Sequence, residues 1–142
     1  MVRLEASERI RGSPEKLWAL LTEPTNYQNF FRLGVIEDAT GKLDHLGAGL
    51  RMTLTLGIPM RLKVSDALAT QRLVLRSHYG MRFQMEWQLQ VRGNLTETTL
   101  RTEYLTPYSV KGMIVEEEAT RHRVGELMRE TTASLKSLVE SS

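Results

Sequence analysis

Hydrophobic and polar residues change their period three times along this chain. Val2, Leu4, Ala6 and Ile10 alternate with Arg3, Glu5, Ser7 and Arg9, the period of two expected of a strand with one wet face. Glu8 is the exception, a carboxylate on the apolar side. Ser13 then offers an N-cap and Pro14 a first helical residue, a position where proline's missing N–H costs nothing. Leu17, Trp18, Leu20 and Leu21 give this helix an apolar face, and Pro24 ends it. A second short helix or turn follows over Asn26–Phe31, carrying Tyr27, Phe30 and Phe31.

From Leu33 to about Ser109 the period is two again, punctuated by glycines at 41, 47, 49, 57, 80 and 93 at the spacing of hairpins. The clearest strand has Met81, Phe83, Met85, Trp87, Leu89 and Val91 on one side and Arg82, Gln84, Glu86, Gln88 and Gln90 on the other. Further strands are expected around Leu50–Leu56, Met60–Leu68, Arg72–Tyr79 and Leu95–Thr106. From about Gly112 the period becomes helical. Met113, Glu117, Thr120, Val124, Leu127, Thr131, Leu135 and Leu138 form one stripe with Met128 beside it, and the expected helix is as long as the sheet is wide. The order predicts an α+β fold in a single domain over residues 1–142. A curved antiparallel sheet of about six or seven strands wraps a long C-terminal helix, and two short helices lie between the first and second strands. A curved sheet cannot pack flush on one straight helix, so space is expected between them.

Composition narrows the chemistry. The chain has 142 residues, 41% hydrophobic and 25% charged, and no cysteine, which removes thiolate catalysis and cysteine metal sites. The start of the chain lacks the apolar run of a signal peptide and no stretch is long enough to span a membrane, so a cytoplasmic protein is expected. A net charge of +2 is too small to argue for nucleic acid. Arg61, Arg72, Arg76, Arg82, Arg92 and Arg101 recur, but Glu86, Glu97 and Glu103 are interspersed, as on a mixed, solvated sheet face. His45, His78 and His122 are scattered without ligand-like spacing, so no metal site is expected. No nucleophile elbow is present, and Gly47-Ala48-Gly49 precedes a strand rather than the helix N-terminus that holds phosphate.

The entry Ser13-Pro14-Glu15-Lys16-Leu17-Trp18 resembles the "small–Pro–Glu–x–apolar–Trp" opening of the first helix in the START-like, helix-grip superfamily, which includes the Bet v 1-like and polyketide cyclase/dehydrase proteins. Thr22–Phe31 resembles its second short helix. The turn His45–Gly49 into Leu50-Arg51-Met52 is similar to its glycine-containing turn into a strand, and Leu105-Thr106-Pro107 with Gly112 to its entry into the final helix. The resemblance covers essentially the whole chain and lies in the order of these segments. It implies an internal, mostly apolar cavity that takes lipids, polyketides or other hydrophobic ligands, with no cofactor.

Strand parity directs Met52, Leu54, Met60, Leu62, Leu75, Tyr79, Phe83, Met85 and Trp87 inward, together with Leu56, Val64, Leu73 and Leu100. Met113 and Val124 join from the helix stripe. Unbranched, polarizable methionine suits a pocket for variable apolar ligands, and equally fills an irregular core. The polar groups on this face are Glu8, Asp66, Thr102, Tyr104 and Glu117, with Ser77 a further candidate. An inward carboxylate without a partner is expensive or protonated; near a strand or helix end it instead reaches water. Tyr104 either bonds a ligand or anchors itself on a backbone carbonyl. The leading expectation is a carrier of a small hydrophobic molecule (a lipid, quinone or polyketide-like compound). One alternative is a cyclase or dehydratase using Tyr104 with Glu8 or Glu117 as acid and base. A second is a module that docks a protein or membrane surface, which would show as an exposed apolar patch. The oligomeric state is open.

Overall fold

A computed structural model describes the chain except residues 107, 108, 111, 112 and 115, with backbone alone at 109, 110, 113 and 114. Strand β1 (Val2–Ile10) leads into α1 (Pro14–Thr22) and a 3-10 helix (Pro24–Asn29). Six strands follow: β2 (Gly34–Ala39), β3 (Gly49–Leu54), β4 (Pro59–Leu68), β5 (Arg72–Gly80), β6 (Phe83–Arg92) and β7 (Leu95–Tyr104). Two-residue strands β8 (Ser109–Val110) and β9 (Met113–Ile114) pair with each other before α2 (Glu117–Glu140). The main sheet is antiparallel, ordered β1-β7-β6-β5-β4-β3-β2. This is the helix-grip architecture: a curled seven-stranded sheet with a long C-terminal helix.

The N-terminal half of the helical layer follows from local chemistry. The Ser13 hydroxyl accepts from the Lys16 N–H at 3.1 Å, and Pro14 occupies the first turn of α1. Pro24 then starts the 3-10 helix, whose Tyr27 sits with its ring 5.0 Å from Phe30 and 5.2 Å from Phe31. Phe30 meets Trp87 of β6 edge-on at 6.2 Å. That aromatic cluster fixes the helical layer on the inner face of the sheet.

Helix α2 buries Thr120, Val124, Leu127, Met128, Thr131, Thr132, Leu135 and Val139. The inner stripe therefore ends on Val139, while the anticipated Leu138 is only half-buried. The Thr102 hydroxyl reaches the Met128 sulfur at 3.2 Å, and Thr131 accepts from the Arg32 N–H at 2.9 Å. The helix starts at Glu117, five residues later than the expected Gly112. Its 24 residues span about 36 Å.

Two β-bulges shift the expected parity. β4 and β5 pair Leu62 with Ser77 but Arg61 with Tyr79, so His78 is an extra residue. One extra residue reverses the side-chain alternation beyond it. Tyr79, expected inward, therefore points outward, 66% exposed, with the Arg61 guanidinium 5.4 Å from its ring centre. The second bulge, at Ser65, pairs Asp66 with Val74. Asp66, also expected inward, instead forms an outer-face ion pair with Arg72. Leu56 lies in the β3–β4 turn and Val91 near the β6–β7 turn, both exposed.

Candidate functional site

The inner face of β3–β7 is built almost wholly of buried apolar side chains. Met52 of β3 lies opposite Met60 of β4, and Leu54, Leu62 and Leu75 continue this wall, each buried. Across β6 and β7 the rungs are Phe83 with Tyr104, Met85 with Thr102, and Trp87 with Leu100. Val124 of α2 is buried beneath the helix. Eleven of the expected site residues thus share this interior.

The remaining four stand elsewhere. Tyr79 is outside, as described. Glu117, in the first turn of α2, is exposed. Glu8 lies on the inner side of β1 but at its edge, half-buried, with Lys136 of α2 3.9 Å away. The neighbouring ammonium answers the question of an unpartnered inward carboxylate: Glu8 has a partner and reaches water. Met113 has its backbone in β9, and its side chain lies outside the described residues, as do Pro107 and Gly112 of the expected helix entry.

Polar atoms mark the two ends of the apolar interior differently. Near the 3-10 helix, the buried Tyr27 hydroxyl donates to the Leu21 carbonyl at 2.7 Å. Burial raises its pKa well above the ordinary tyrosine value, partly offset by the nearby Trp87 indole. Trp87 Nε1 itself has no hydrogen-bond partner among the described residues. At the far end of β7, the Tyr104 hydroxyl and Thr106 Oγ1 are likewise buried and without a partner among the described residues. Burial also raises the Tyr104 pKa, with Arg121 pulling it down and Glu117 pushing it up. The Tyr104 ring stacks on Phe83 at 6.4 Å.

Buried donors and acceptors are almost always paired in folded proteins. Leaving one without a partner costs about 1–3 kcal/mol. Tyr104 was legible as a candidate from parity. Thr106 was missed, although it continues the same alternation beyond Thr102 and Tyr104. Tyr27 and Phe30 were placed in the short helix but not recognised as the floor beneath Trp87.

Of the two anticipated acid–base pairs, that of Glu8 with Tyr104 is not assembled, while Glu117 is near enough to Tyr104 to push its pKa up but stands exposed in the first turn of α2. Glu8 lies opposite Thr98 and Tyr104 opposite Val2, six residues apart along β7, or about 20 Å. Among the described residues no cluster of three or more histidine or acidic side chains is placed to hold a metal. No helix among them is long and apolar enough to cross a membrane.

No protein-family model matches the chain, and no curated protein resembles it in sequence. Solved structures do resemble it in shape. The Aha1 dimer protein of Colwellia psychrerythraea is 16% identical with a TM-score of 0.73, the match covering 99% of this chain and 97% of that one. A Bacillus halodurans protein is 15% identical with a TM-score of 0.77, over 98% of this chain and 97% of that one. DynU16, a protein of the dynemicin biosynthetic locus, is 16% identical with a TM-score of 0.71; the match covers 98% of this chain but 47% of DynU16. Identities this low speak for the fold alone, and that fold is the helix-grip arrangement of a curled antiparallel sheet closed by its C-terminal helix.

Proposed function

We propose that this chain is a single START-like domain that binds a small hydrophobic molecule between the sheet and α2, with Tyr104 and Thr106 fixing its orientation. The observation that carries this reading is the pair of buried hydroxyls at the end of β7, unpartnered among the described residues, beside Phe83 and Met85. Apolar pockets take their specificity from a few polar groups placed in this way. A ligand carbonyl or hydroxyl would recover the hydrogen bonds that Tyr104 and Thr106 lack, while its apolar body lies against methionine and phenylalanine. The fold shared with a protein of the dynemicin biosynthetic locus is compatible with such a ligand, and lipids, quinones and polyketide-like compounds all fit the chemistry of this interior. The separation of Glu8 from Tyr104 and the exposure of Glu117 favour binding over acid–base catalysis.

Native mass spectrometry of the freshly purified protein, with solvent extraction of anything bound, tests this directly. The expected result is a co-purifying apolar compound, depleted in Tyr104→Phe. In parallel, Trp18→Phe leaves Trp87 as the sole indole, and its emission is followed during titration with oleate, a quinone and an aromatic polyketide. Silence in both experiments, with the protein folded, would sink the proposal.

A further inference from the structure

The outer face of the sheet divides into two halves that treat charge in opposite ways. On β1, β7 and β6 the arginines have acidic partners. Arg3 pairs with Glu103 at 3.3 Å, Arg9 with Glu97 at 3.8 Å, and Arg101 with Glu5 at 2.8 Å and Glu86 at 3.7 Å. These are the mixed charges the sequence led one to expect. On β4 and β5 Arg72 still has Asp66, but further along β3, β4 and β5 the pattern breaks. Arg51 lies directly opposite Arg61, and Lys63 directly opposite Arg76. All four are exposed, and none forms an ion pair with a carboxylate within 4.0 Å among the described residues.

Like charges directly opposed across strands destabilise a sheet, and here two such rungs stand side by side. Neighbouring groups do not neutralise them. Arg76 donates through Nε and Nη2 to the Gln84 side-chain oxygen, a neutral acceptor, at 3.1 and 2.8 Å. Arg61 lies over the Tyr79 ring. Asp38, opposite Arg51 on β2, turns its carboxylate to the Ala39 N–H at 3.0 Å. Arg51, Arg61, Lys63 and His78 line a groove of about 250 Å³ together with Asp38, and Arg76 stands beyond it. Gly49, opposite Lys63, leaves that end of the groove without a side chain.

A local rule broken twice, with only the Tyr79 ring and the Gln84 oxygen, both neutral, to offset it, is the pattern expected at a functional site. We infer that the outer face of β3–β5 is an anion-binding site for a di- or triphosphate group, separate from the apolar interior. Three of the four opposed cations are arginines, whose planar forks match phosphate oxygens in bidentate fashion. The two rungs are two residues apart along β4, about 7 Å, so a single small anion cannot satisfy both, whereas a short chain of phosphates can.

The test is isothermal titration of the full chain with inorganic tripolyphosphate at low salt, against Arg51→Gln and the double variant Arg61→Gln/Lys63→Gln. Binding that weakens at least tenfold in both variants, and falls with added sodium chloride, supports the site. Thermal melts give an independent reading. Without anion, Arg51→Gln should melt above the parent because it relieves an opposed pair; with tripolyphosphate, the parent should gain more than the variant. Absence of binding, or equal binding by parent and double variant, would overturn the inference. So would a lower melting temperature of Arg51→Gln, since the opposed charges would then not be repelling. Phosphatidylglycerol–phosphatidylcholine vesicles and a twelve-nucleotide RNA separate the source of the phosphate. Vesicle binding displaced by tripolyphosphate supports the same phosphate chemistry on a lipid headgroup. RNA binding that tripolyphosphate does not displace counts against the site as described.

Discussion

Tyr27 and Tyr104 carry the same hydroxyl into the same interior, yet their environments assign them different tasks. Tyr27 spends its proton on the Leu21 carbonyl at 2.7 Å, so it belongs to the scaffold. Tyr27→Phe should destabilise the protein by about 1 kcal/mol, the usual net worth of a hydrogen bond. Tyr104→Phe removes a hydroxyl that has no partner among the described residues and should be neutral or stabilising in urea titrations, while weakening the bound ligand. A Tyr104→Phe variant that loses as much stability as Tyr27→Phe would show that its hydroxyl serves the fold. The two tyrosines share one further property. Burial raises both pKa values above the ordinary 10.0, so the folded state holds protons that the unfolded chain releases. Stability from this source is complete below about pH 10 and is lost above it, at about 1.4 kcal/mol per pH unit for one fully shifted group. Urea midpoints compared between pH 8 and pH 10.5 should fall less steeply in Tyr27→Phe than in the parent.

At the scale of elements, what could be read from the sequence was whatever is decided by near neighbours. The Ser13 cap and Pro14 act within one turn, so the start of α1 was legible. Ser13→Ala should cost about 1 kcal/mol, measurable as a shifted urea midpoint with an unchanged slope. The strands were legible because their inner faces repeat every second residue, and Met52, Met60, Phe83 and Met85 were placed correctly for that reason. The bulges at Ser65 and His78 were not legible. Each is set by how β4 registers against β5, a relation between two strands that the alternation within either one does not contain. That is why Asp66 and Tyr79 were assigned to the wrong face. The same limit hid the basic half of the outer face. Read in sequence order, arginines and glutamates look interspersed; only pairing across strands shows that Arg51 meets Arg61 while the glutamates lie on other strands. The unpartnered hydroxyl of Tyr104 was also beyond the sequence, since parity gives the direction of a side chain but not what it meets.

For the molecule as a whole, one end of the sheet–helix sandwich is closed by direct contacts, and this bears on where a ligand enters. At the C-terminal end of α2, Lys136 donates to the Arg9 carbonyl at 2.9 Å, and Glu140 accepts from the Arg11 N–H at 2.9 Å. The Thr96 hydroxyl donates to the Gly12 carbonyl at 2.7 Å. Gly12 itself lets the helix approach this closely, because a Cβ there would stand 2.6 Å from Val139 Cγ1. The hydroxyls proposed to orient the ligand, Tyr104 and Thr106, lie at the opposite end, so a ligand is expected to enter there. The closed end can be loosened as a control. Gly12→Ala should destabilise by about 1–3 kcal/mol, as overpacking a filled core does, because a branched valine cannot swing clear. Val139→Ala removes the clashing methyl at its own cost in buried apolar surface. The double variant should therefore lose less than the sum of the single losses, by about 1 kcal/mol or more, the signature of residues in contact. If entry is at the Tyr104 end, Gly12→Ala should leave the rate of ligand uptake unchanged while lowering stability. Faster uptake in that variant would move the mouth to the end sealed by Gly12 and Val139.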